Sequence, residues 1–200
     1  MSATRLLVLG VVRMYGRAHG YQVRRELLSW SADKWANVQP GSIYHALKKM
    51  TSEQLLEQVD VEPGDGGPDR VAYRLTADGE QEFQVLLAKG LSDPEAGHPE
   101  LCAAVGLMTA LPRAHAIRLL RQRLIHFEAE DRRSRLNLEE GNDRGRPAHV
   151  DELFLLWAGI AGASRVWLTE LLDRLEAGEY VMADDAGSMF GHPVTGSGTG

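Results

Sequence analysis

The residues best equipped for chemistry lie close together: Ser42, Tyr44, His45, Lys48 and Lys49. Pro40 and Gly41 punctuate the chain just before them, so a helix is predicted to begin near Gly41. At about 100° per residue, Ile43, Ala46, Leu47 and Met50 share one face of that helix, and the five polar residues fall on the remainder. Hydroxyls, an imidazole and two ammonium groups on one surface suit a polyanion. Alone, Lys48 and Lys49 are only a solvated face, and Tyr44 is also open to a packing role beside the element that follows.

Catalytic chemistry finds no comparable grouping. The seven histidines are scattered, with no pair at metal-ligand spacing near a carboxylate, and Cys102 sits in an apolar segment where a small buried thiol is the ordinary case. No phosphate-binding loop, dinucleotide fingerprint or nucleophile elbow occurs. The expectation is a protein that is not an enzyme, with no cofactor and no metal.

The elements that must position the polar helix follow from periodicity. Leu6, Leu7, Leu9, Val11, Val12 and Met14 are apolar nearly all round, the pattern of a buried first helix. Arg17 to Gly20 reads as a turn, and Tyr21, Val23, Leu27 and Leu28 mark a second helix with Gln22, Arg24, Arg25 and Glu26 toward solvent. Trp30 to Asn37 reads as irregular. Beyond the polar helix, Val59 and Val61, a glycine-rich tip, and the alternation of Val71, Tyr73 and Leu75 predict a hairpin, with Arg70 and Arg74 on or near it. Tyr73 reads as core. Thr76 can cap a further helix carrying Phe83, Val85, Leu86, Leu87 and Leu91. Three helices followed by a hairpin make a winged helix-turn-helix, expected over 1–92.

Two prolines and a glycine between Asp93 and Pro99 mark a boundary. Helical patterns resume over 99–182, ending in a seam of Leu153, Trp157, Ile160, Ser164, Trp167 or Leu168, Leu171 and Leu175 at spacings of three and four. Such a seam is a helix-packing stripe. Residues 183–200 are rich in Gly, Asp, Ser and Thr and are expected to be a disordered tail. The fold class expected is mainly α with a small β-hairpin.

The chain's 44% hydrophobic content permits one good core or two small ones. Its net charge of −6 conceals a polarity: residues 1–50 hold eight basic side chains against two acidic, whereas residues 91–200 hold eleven Arg against seventeen acidic groups. A polyanion would be drawn to one end only. A single cysteine forbids an internal disulfide, and with no leader and no long apolar run the cytoplasm is expected, without membrane contact.

Four short motifs then add a resemblance. Leu6-Leu7-Val8-Leu9-Gly10, His19-Gly20-Tyr21-Gln22-Val23, Gly41-Ser42-Ile43-Tyr44-His45-Ala46-Leu47 and Tyr73-Arg74-Leu75-Thr76-Ala77-Asp78-Gly79 follow in the order and spacing of the PadR family of bacterial repressors. The acidic helical second half resembles the family's larger subgroup, whose C-terminal domain forms an antiparallel helical dimer. The resemblance implies a helical dimerisation domain, and a recognition helix in the major groove of double-stranded DNA through Ser42, Tyr44, His45, Lys48 and Lys49. Gln39 and Tyr21 would position the backbone, and Arg70 and Arg74 would meet the minor groove. A two-fold homodimer would read a pseudo-palindromic operator with half-sites about 34–36 Å apart. The family's phenolic-acid and multidrug sensors also suggest a small aromatic effector, for which Trp30, Trp35, Trp157 and Trp167 are candidate pocket residues beside their ordinary role as core. The alternative is a winged-helix protein–protein interaction module without specific DNA binding, against which the basic first fifty residues speak.

Overall fold

A computed structural model describes residues 2–36, 38–62, 70–141 and 146–187, with the backbone alone at 60–62, 70 and 141. It separates into two compact units, one of residues up to 91 with 95–112 and 181–187, the other of 92–94 with 113–180.

In the first unit, α1 (Ala3–Tyr15) is the core helix, and Leu6, Leu7, Val8, Leu9, Val11 and Val12 are all fully buried. It stops where Gly16 takes φ 69, a conformation open to glycine without the Cβ penalty. A two-residue strand, β1 (Ala18–His19), then enters α2 (Gly20–Ser29), where the Gln22 side chain accepts the His19 backbone N–H at 2.8 Å. One turn of helix, α3 (Ala32–Trp35), precedes α4 (Pro40–Ser52), whose Pro40 sits at the first helical position and loses no hydrogen bond there. Strands β2 (Leu56–Glu62) and β3 (Arg70–Leu75) pair antiparallel, with an irregularity between Val59 and Val61.

The sheet is three-stranded in the order β1-β3-β2, because Ala18 and His19 lie opposite Tyr73 and Ala72. The segment expected as a turn is therefore also an edge strand, too short to show alternation, and the segment expected to be irregular holds α3. Thr76 caps α5 (Ala77–Ser92) as expected, its Oγ1 accepting the Gly79 N–H at 3.0 Å. α6 (His98–Leu107) continues into a 3₁₀ turn, Met108–Ala110, and buries Ala103, Ala104 and Leu107. Leu107 lies so close to α1 that a Cβ on Gly10 would stand 2.5 Å from its Cδ1. That packing is why 95–112 fold with the first unit although 99 was expected to open the second domain. Cys102 is half-buried, its Sγ 3.0 Å from His98 Nδ1.

The second unit is a helical hairpin of α7 (Arg113–Gly141) and α8 (Asp151–Glu176), entered through a 3₁₀ turn at Ala148–Val150. At one end Arg113 donates to the carbonyls of Leu175 and Tyr180, both at 2.7 Å, where a cation meets the negative end of the α8 dipole. At the other, Arg146 bonds Asp151 and the Asn137 carbonyl and lies over the Phe154 ring. Of the expected tail, 183–187 form a turn in which the Ala183 N–H reaches the Leu111 carbonyl at 3.2 Å, and the remainder lies outside the described residues. No described helix is long and apolar enough to cross a membrane.

Candidate nucleic-acid interface

The site is built on α4, whose two faces differ sharply. Ile43, Leu47 and Met50 are 1%, 0% and 1% exposed, anchoring the helix in the first unit's core, while Tyr44, His45, Lys48 and Lys49 are exposed and Ser42 half-buried. Ser42 Oγ donates to the Gln39 carbonyl at 2.7 Å, closing the first turn, and Gln39 is itself exposed at the cap. Nothing lies within 4 Å of the Cβ that Gly41 lacks, so the helix start is open to a large ligand.

Tyr44 combines packing and exposure. Its ring passes over the start of α2, where a Cβ on Gly20 would be 2.5 Å from Tyr44 Cε1, yet the residue remains 48% exposed. Gly20 thus makes room for the ring and also begins α2. Tyr21, the next residue, is exposed and stacks on His19 with centroids 5.6 Å apart at 15°. The structure therefore brings Tyr21 and Tyr44 to one region, and exposed Arg24 and Arg25 extend the basic surface along α2. Sequence reading placed these two arginines toward solvent without giving them a role, because amphipathicity separates inside from outside and does not divide one exposed face from another.

The wing is mixed. Arg74 is exposed but pairs across the strands with Glu57, Nε at 2.9 Å and Nη2 at 2.8 Å from Oε1. An exposed pair of this kind is worth about 0–1 kcal/mol, so a phosphate could compete for it. Arg70 opens β3, but its side chain lies outside the described residues, as does the glycine-rich tip with Asp65 and Asp69. Tyr73 is half-buried, and burial raises its phenol pKa, with Gln58 acting in the opposite direction.

The remaining predicted residues divide between the units. Trp30 and Trp35 are half-buried in the first, joined by Trp35 Nε1 donating to the Trp30 carbonyl at 2.9 Å. Trp157 and Trp167 lie on α8, about 15 Å apart along its axis at 1.5 Å per residue. Phe154 meets the Trp157 ring edge-on, with centroids 5.2 Å apart. The α8 seam also splits: Leu153, Trp157 and Ile160 are 48%, 49% and 56% exposed, whereas Leu168, Leu171 and Leu175 are buried within the chain and Ser164 is half-buried. No group of three or more potential metal-binding side chains occurs among the described residues.

Compared with known proteins, the chain matches the sequence profile of the transcriptional regulator PadR-like family over residues 8–85, a span that holds every residue expected to face DNA. It is similar to Bacillus subtilis PadR solved in complex with operator DNA, at 21% identity and a TM-score of 0.39, covering 86% of this chain and 98% of that one. It is similar to the same protein solved with p-coumaric acid, at 19% identity and a TM-score of 0.37, covering 87% and 96%. A PadR-like transcriptional regulator from Bacillus cereus is similar at 19% identity and a TM-score of 0.37, covering 88% and 99%. No curated protein matches the chain.

Proposed function

We propose that the chain, whose residues 8–85 match the transcriptional regulator PadR-like family, is a dimeric repressor that reads a pseudo-palindromic operator with α4. The observation that carries this reading is the division of α4, with Ile43, Leu47 and Met50 fixed in the core while Tyr44, His45, Lys48 and Lys49 stand exposed. A helix held rigidly on one side presents the other to a groove at little entropic cost. Lys48 and Lys49 neutralise phosphates, Ser42, Tyr44 and His45 supply donors for phosphates or base edges, and Tyr21 and Gln39 meet the flanking backbone. Arg70 and Arg74 in the wing reach the minor groove.

The exposed apolar residues Leu153, Leu156, Trp157 and Ile160 support pairing of two copies through α8. Release by a flat aromatic effector completes the reading, with Trp30, Trp35, Trp157 and Trp167 as reporters. Phenolic acids should then change tryptophan fluorescence and lower DNA affinity together, and a ligand series that moves neither removes this part.

The decisive experiment is a fluorescence-anisotropy titration of the protein against its own upstream promoter fragment and a scrambled duplex at two salt concentrations. Tight, salt-sensitive preference for the promoter is expected. Weak and equal binding to both would count against a sequence-specific repressor.

A further inference from the structure

Glu53 occupies an unfavourable position for a DNA-binding surface. α4 ends in a Schellman arrangement, in which the Leu55 N–H reaches the Met50 carbonyl at 2.9 Å and the Gln54 N–H the Thr51 carbonyl at 3.1 Å, with Gln54 at φ 60. Glu53 is the C-cap residue, so its carboxylate stands at the negative end of the helix dipole. It also lies four residues beyond Lys49, the spacing at which a helical acid captures a lysine. Left to itself, this carboxylate would hold the Lys49 ammonium and repel an approaching phosphate.

The ion-pair distances show which cation holds Glu53. Arg5 Nη1, from α1, lies 2.5 Å from Glu53 Oε2, whereas Lys49 Nζ is 4.0 Å from Oε1. The first is a direct charge-assisted hydrogen bond and the second only a loose Coulombic contact. Arg5 is itself oriented by α5, since its Nε donates to Glu82 Oε1 at 2.9 Å. A cation anchored by α1 and α5 thus takes the carboxylate of α4, and the Lys49 side chain stays 61% exposed.

We propose that Arg5 is a positioning residue for DNA binding: by holding Glu53 it keeps Lys49 free for phosphate, without touching DNA itself. This rests on the DNA-binding reading of α4 given above.

A double-mutant cycle on the full chain tests it, with affinity for the promoter duplex and the salt slope as readouts and helix content checked by circular dichroism. Arg5→Met should lower affinity about three- to tenfold and flatten the salt slope by about one, the loss of one phosphate contact. Glu53→Gln alone should stay within about twofold of wild type, because its charge is already taken up, and Arg5→Met should have no effect in that background. An equal loss from Arg5→Met in both backgrounds overturns the proposal. So does a clear gain from Glu53→Gln alone, a result that remains readable if Arg5→Met fails to fold. Wild-type protein that binds no duplex would overturn the DNA-binding reading itself and this proposal with it, whereas a binding wild type with a flat cycle overturns only the role of Arg5.

Discussion

At the scale of single residues, the exposed face of α4 mixes side chains of two kinds. Tyr44 is wedged against Gly20, so its ring is carried at a fixed place, whereas Lys48 and Lys49 are exposed, Lys49 with a loose 4.0 Å contact to Glu53. Replacing Tyr44 with Ala should weaken operator binding about tenfold, the scale of one lost contact, while circular dichroism stays unchanged. Unaltered affinity would take Tyr44 out of the interface. Replacing Lys48 and Lys49 together with Gln should weaken binding to every duplex and flatten the salt slope by about two. A slope that did not move would contradict phosphate contact. The residue types were readable from sequence, but the pairing of Arg5 with Glu53 was not, since the partners are 48 residues apart and no local pattern links them.

At the scale of elements, glycines mark where helices approach other backbone. A Cβ on Gly79 would stand 2.0 Å from the Leu55 carbonyl oxygen, which also accepts the Thr76 N–H at 3.1 Å, so the start of α5 is seated directly on the chain leading into β2. Backbone cannot swing aside as a leucine tip can, and Gly79→Ala should lower stability by about 1–3 kcal/mol, read as a fall in thermal midpoint. A midpoint equal to wild type would show that α5 can shift at no cost. The Thr76 cap and the Pro40 start were legible because capping chemistry is local. The one-turn α3 and the strand β1 were not, because four residues and two residues are too short to display a period.

At the scale of the whole molecule, the proposed reading of a pseudo-palindromic operator requires two recognition helices in successive major grooves, and so two copies of the chain. The exposed part of the α8 seam supports a pairing surface, and the buried part determines which substitution is informative. Leu171 is 3% exposed, so an acidic residue there would disrupt the fold of its own chain. Trp157 is half-exposed, so Trp157→Asp should leave the helix content intact while sedimentation reports monomers and operator affinity collapses. A dimer that survives this change would move the interface elsewhere.

The sequence by itself determined the helix-turn-helix and wing, the polar strip of α4, the long helices and the polarity of charge. Each is set by residue type, by short-range period or by local capping, which act within a few turns of chain. Tertiary structure alone decided that α6 joins the first unit through the approach of Leu107 to Gly10, that Glu57 takes Arg74, that Arg5 takes Glu53, and that the α8 seam is half buried and half open. Those outcomes depend on which surfaces meet after distant segments have packed. An amphipathic pattern says only that a face must be covered, and leaves open what covers it.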